Sequence, residues 1–120
     1  MTSIRALTIA LEAPSAAAQA LQRIFGWEIE SDYGAFAALR LPAGIPLWIN
    51  RPAAGEPTTQ GLVIHLASDD VDADFAAATG RGAREVRPPT DMDFGERSAC
   101  VRVDEVSGVT IDLSRPLDAR

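Results

Sequence analysis

The sequence contains no lysine: all 11 of its basic residues are arginine. Schiff-base chemistry on a lysine is thereby excluded. There is one cysteine, Cys100, and one histidine, His65. A lone cysteine cannot close an internal disulfide, which fits a reducing compartment and points to the cytoplasm. Positive charge is scarce overall. The net charge of −6 and pI near 4.6 argue against a nucleic-acid partner bound through a basic surface. Long apolar runs are also missing. Nothing approaches the roughly 18 apolar residues of a membrane span, so no membrane partner is expected. The N-terminal run ALTIAL is ended by Glu12 and is too short for a signal peptide.

What is present is ordinary in bulk and repetitive in order. A chain of 120 residues, 47% hydrophobic and 23% charged, suits a single globular domain over 1–120. Its first half closes with ALRLPAGIPLWINRP and its second with ACVRVDEVSGVTIDLSRP. Both read as an apolar-Arg-apolar strand, a glycine turn, an alternating strand and Arg-Pro. A repeat fixes the unit from which a fold is built. Repeat one spans about 3–52 and repeat two about 61–116. The Pro-, Gly- and Thr-rich stretch at 53–60 reads as a linker.

Each repeat reads as strand–helix–strand–strand–strand. In the first, IRALTIAL is a strand and Pro14 opens a helix carrying Ala17, Leu21 and Ile24 at helical spacing. Gly26 suits its C-terminal cap. WEIES, YGAFAALRL and IPLWIN follow as strands, with turns at Ser31-Asp32 and Pro42-Ala43-Gly44. In the second, LVIHLAS is a strand. Asp69 or Asp70 then caps a helix with Val71, Phe75 and Ala78 on one face. AREVRPP, about 96–104, and VTIDL are the last strands. Aligning Gly26 with Gly82 pairs Leu7 with Val63. Through the later turns, Arg40 pairs with Arg102 and Trp48 with Asp112.

Strand alternation separates two faces. One is uniformly apolar and should lie under the helices. The other is mixed, carrying Leu7, Ile9, Phe36, Arg40, Trp48, Val63, His65, Cys100, Arg102, Thr110 and Asp112. A sheet face holding Trp, Phe, His and Asp without a helix to cover it is the natural place for a pocket. Trp48 would stack on a planar or cationic ligand, or else plug the cavity. His65 would act as an acid or base oriented by Asp112, or else serve as a hydrogen-bonded wall. Arg40 and Arg102 would clamp an anion, or else pair with local acids such as Asp104 or Glu105. Cys100 reads as a small buried apolar residue.

The segments HLASDDVDADF, GAREVRPPTDMDFGERSACVRV, EVSGVTIDL and LQRIFGWEIE occur in an order that resembles the vicinal oxygen chelate superfamily. That superfamily includes glyoxalase I, bleomycin-resistance proteins and extradiol dioxygenases. The resemblance implies an α+β fold of two βαβββ repeats, forming a curved, cup-like mixed sheet with helices on the outer face. It also implies a homodimer. Metal-dependent members hold a divalent ion on the concave face with residues from the first and last strand of each half. On this sequence those positions are Leu7, Trp48, Val63 and Asp112. Asp112 alone among them can ligate, and one carboxylate makes no useful site. No metal and no cofactor are therefore expected.

The leading functional reading is a metal-independent binder of a small, planar or cationic molecule, of the glyoxalase/bleomycin-resistance type, serving antibiotic sequestration. Its cup would be lined by Leu7, Ile9, Phe36, Trp48, Val63, His65, Cys100, Arg102 and Asp112. Three alternatives stand beside it: a glyoxalase- or dioxygenase-like metalloenzyme, a metal-free isomerase or cyclase using His65 and Asp112, and an accessory domain whose cavity is filled by Trp48.

Overall fold

The computed structural model describes residues 1–42 and 44–117, so Ala43 of the expected Pro42-Ala43-Gly44 turn lies outside the described residues. The chain divides into two compact units, Met1–Gln60 with Glu105–Ser107 and Gly61–Asp104 with Gly108–Arg120. Each has the expected order. The first contains β1 (Leu7–Ala10), α1 (Pro14–Phe25), β2 (Glu28–Asp32), β3 (Phe36–Arg40) and β4 (Leu47–Asn50). The second contains β5 (Leu62–Ala67), α2 (Val71–Gly80), β6 (Arg84–Asp91), β7 (Glu96–Arg102) and β8 (Val109–Pro116).

Each unit builds a four-stranded mixed sheet, ordered β1-β4-β3-β2 in one and β5-β8-β7-β6 in the other. The β1–β4 and β5–β8 pairs are parallel, which needs the crossover that the rest of the unit supplies. Helix α1 starts with Pro14 in its first turn and ends at Gly26, whose φ of 75° is the left-handed cap geometry that glycine adopts freely. Its face of Ala17, Ala18, Ala20, Leu21 and Ile24 is buried. Helix α2 is capped by Asp70, whose carboxylate accepts the Ala73 amide at 3.0 Å. Val71 and the half-buried Phe75 pack with Leu66, Ala99 and Leu113. Most of the apolar face is core as expected, with Ala37, Leu39, Leu47, Ile49, Ala99, Val101, Val103, Val109, Ile111 and Leu113 all buried; Leu62 on the same face is exposed, and Leu41, Ile45, Ile64 and Leu66 are half-buried.

The registers reproduce the repeat at the level of single residues. In the first unit Glu28 faces Arg40 and Ile29 faces Leu39; after a bulge, Ser31 faces Ala38. In the second, Arg84 faces Arg102 and Glu85 faces Val101; after a bulge, Arg87 faces Cys100. Both edge strands thus carry one extra residue at the same step, Glu30 in β2 and Val86 in β6. A bulge shifts every later side chain to the opposite face.

Three expectations need correction. Strand β2 runs through Asp32, so the turn falls at Tyr33–Gly34, where Asp32 accepts the Gly34 amide at 3.0 Å. The 53–60 stretch is not a free linker at its end. Thr59 takes the Ala10 amide on its hydroxyl at 2.8 Å and returns its own amide to the Ala10 carbonyl at 2.9 Å. The third correction concerns β1. Leu7 faces Leu47 and Ile9 faces Ile49, so both share the side of those core residues; Ile9 is only 1% exposed, while Leu7, at the start of the strand, stays 51% exposed. Thr8, not Leu7, stands beside Trp48, and it corresponds to His65 rather than Val63. The glycine-anchored alignment slipped by one residue between strand and helix. One residue is enough to exchange the two faces.

Candidate functional site

The second unit sets four polar side chains in one cross-strand row. His65 on β5 faces Asp112 on β8, Asp112 faces Cys100 on β7, and Cys100 faces Arg87 on β6. The corresponding row of the first unit is Thr8, Trp48, Ala38 and Ser31. Identical geometry therefore presents ionisable groups in one unit and none in the other.

Asp112 is the hub of the row and is only 5% exposed. Its Oδ2 lies 2.8 Å from His65 Nδ1. Its Oδ1 accepts the Ser98 hydroxyl and lies 3.7 Å from the Cys100 thiol. Ser98 in turn accepts from the Arg87 Nη2, and that guanidinium nitrogen stands 3.9 Å from Asp112 Oδ1. Burial alone would raise the Asp112 pKa. The hydrogen bonds from Ser98, His65 and Ser114 outweigh it and hold the carboxyl below the usual range. Burial raises the Cys100 thiol, against the pull of Arg87, which disfavours the thiolate form. The Arg87 Nε is buried without a hydrogen-bond partner.

Above this row opens a pocket of about 310 Å³. Of the residues named from the sequence for the cup, Val63, His65, Cys100 and Asp112 line it, together with Thr110 of the same face. Arg87, Met92, Phe94, Glu96 and Ser98 line it too, and sequence reasoning missed them. Ser98 was accessible by alternation, two residues from Cys100 on the same strand. Arg87 was hidden by the bulge at Val86. Met92 and Phe94 sit in the β6–β7 connection, where no periodicity applies.

The remaining candidates fall elsewhere. Arg102 is exposed and donates its Nε to Thr110 at 3.2 Å, outside the pocket lining. Arg40 pairs with Glu30 at 2.7 Å. The acids expected to hold these arginines are engaged by others: Asp104 by Arg84 at 2.5 Å and Glu105 by Arg23 at 3.7 Å. In the first unit, Phe36 meets Trp48 edge-on at 5.9 Å, and the Arg5 guanidinium sits 5.5 Å from the Trp48 ring centre. A cation of the chain itself thus occupies the indole face that was expected to stack on a ligand. Asp112 is likewise engaged on both oxygens, Oδ2 by His65 and Oδ1 by Ser98.

The divalent metal implied by the resemblance does not fit these residues. Leu7, Trp48 and Val63 offer no donor atom. Asp112 offers oxygens already bound by His65 and Ser98, with a guanidinium 3.9 Å away that would repel a second cation. Among the described residues, no three His, Cys, Asp or Glu side chains gather as a ligand set.

A family model described as a glyoxalase-like domain matches residues 6–106. Among solved structures, a glyoxalase/bleomycin resistance protein/dioxygenase from Nocardioides superposes with a TM-score of 0.82 at 16% identity, covering 100% of this chain and 87% of that one. TioX from Micromonospora sp. ML1 gives a TM-score of 0.74 at 26% identity, covering 97% of this chain and 100% of that one. TnmS3, an antibiotic binding protein from Streptomyces sp. CB03234, gives 0.76 at 21% identity and 97% coverage of both chains. No curated protein sequence matches the chain. Among the described residues, no helix is long and apolar enough to cross a membrane.

Proposed function

Because this chain belongs to the glyoxalase-like domain family of the vicinal oxygen chelate superfamily, we propose that it binds a small organic molecule without metal assistance, in the manner of an antibiotic-sequestering protein. The carrying observation is the composition of the pocket in the second unit. Its base is a closed network of Arg87, Ser98, Asp112 and His65. Its apolar lining comes from Val63, Met92 and Phe94. A volume of about 310 Å³ suits an aromatic compound of modest size. TnmS3, which shares the fold, is an antibiotic binding protein. Calorimetric titration against a panel of aromatic antibiotics tests the reading. Saturable binding at one site per chain is expected. No response across the panel, or stoichiometric Ni, Zn, Mn or Fe in the untagged protein, overturns it.

The His65–Asp112 contact of 2.8 Å favours one second reading, a metal-free isomerase or cyclase with His65 as base and Asp112 as its orienter. A His65→Ala variant that keeps ligand affinity but loses turnover would support it. The lone cysteine supports a reducing, cytoplasmic location and the resemblance supports a homodimer, for which sedimentation at micromolar concentration is the check.

A further inference from the structure

We propose that the Arg87–Ser98–Asp112 chain fixes the tautomer of His65, so that the pocket presents His65 Nε2 as a hydrogen-bond acceptor and selects ligands bearing an aromatic hydroxyl. The selection of ligand rests on the binding reading above; the tautomer does not.

The direction of every bond follows from what each group can do. A guanidinium only donates. Arg87 therefore uses a lone pair of the Ser98 hydroxyl, and the one Ser98 proton is left for Asp112 Oδ1. An ionised carboxylate only accepts. The 2.8 Å contact from Asp112 Oδ2 to His65 Nδ1 must then carry the imidazole proton on Nδ1. A neutral imidazole has one N–H, so Nε2 is bare. The imidazole is 71% exposed and lines the pocket, which leaves Nε2 to a ligand.

The neighbours define what that ligand carries. Glu96 adds a second acceptor, so a donor group on the ligand is favoured. The Arg87 guanidinium, 3.9 Å from Asp112 Oδ1, offsets that carboxylate, so a neutral hydroxyl can meet the Nε2 acceptor without a cation being required to balance the floor of the pocket. Val63, Met92 and Phe94 suit the ring that bears it.

One histidine in the chain makes the test free of assignment. Long-range ¹H–¹⁵N spectra, recorded above the imidazole's titration range, should show the Nδ1–H tautomer. In Asp112→Asn, Ser98 still donates to the amide oxygen, which turns the NH₂ toward Nδ1. The spectrum should switch to the Nε2–H tautomer. An Nε2–H wild type, or a variant that does not switch, overturns the relay; the wild-type spectrum decides alone should the variant fail to fold. The ligand class is read with 2-naphthol and 2-methoxynaphthalene, which differ in the hydroxyl proton. The naphthol should bind about tenfold tighter, and Asp112→Asn should erase that preference. Equal binding, or none, with the tautomer confirmed overturns the hydroxyl selectivity, while the antibiotic panel decides the binding reading separately.

Discussion

The guanidinium of Arg5 lies 5.5 Å from the centre of the Trp48 ring. The first unit thus covers its own most prominent aromatic face with a charge from its N-terminal segment. Such contacts contribute about 0.5–1 kcal/mol at exposed sites. Arg5→Ala is expected to lower stability by no more than about that amount. It should also raise acrylamide quenching of tryptophan emission. Trp27 is only 5% exposed, so the added quenching would report Trp48.

Asp112 links acid stability to the pocket. Its carboxyl is held below the ordinary range in the folded protein. A depressed pKa contributes stability that is present above the unfolded value of about 3.9 and is lost as pH falls through the folded value. Urea unfolding between about pH 7 and pH 3 should therefore show an acid limb that is shallower in Asp112→Asn. An equal slope in both proteins would mean that the carboxylate contributes nothing to that limb.

Asp70 caps α2 through a single bond to Ala73. Removing such a cap typically costs about 1 kcal/mol. Asp70→Ala should lower the urea midpoint by a corresponding amount with no change in slope, because the unfolded chain gains no surface. Asp69, its neighbour in sequence, should be replaceable by Ala at much smaller cost.

Chelation supplies a fourth test. The donor set around Asp112 does not suit a divalent ion, so dialysis against EDTA should leave both melting temperature and ligand affinity unchanged. A fall in either, restored by one metal, would show a site built from residues other than these.

The fold was legible because its repeat was legible. Gly26, Pro14 and Asp70 act where their backbone chemistry places them, and strand alternation placed Leu39, Val101 and Ile111 in the core. The site was legible in part. His65, Asp112 and Cys100 share a face because a strand has period two. Leu7 and Ile9 were set on the wrong face because a helix-end glycine cannot fix the register of a strand beyond a loop. The lateral partners of Asp112 were harder still. Which residue of β6 reaches β8's row depends on where β6 bulges, and a bulge has no signature in AREVRPP.

Val86 is the extra residue at the first of two register shifts in β6, the second falling between Arg87 and Thr90, and only the first has a counterpart in β2. Had β6 paired with β7 without interruption, Val86 itself would face Cys100 and Arg87 would turn to the other side. Ser98 would lose the donor that dictates where its proton goes, and Asp112 would answer to His65 alone. The equivalent extra residue in β2, Glu30, delivers Ser31 to a row with nothing to organise. One inserted backbone step thus works as a reading frame: kept in both units, it is translated into an ordered proton-donor chain in only one of them.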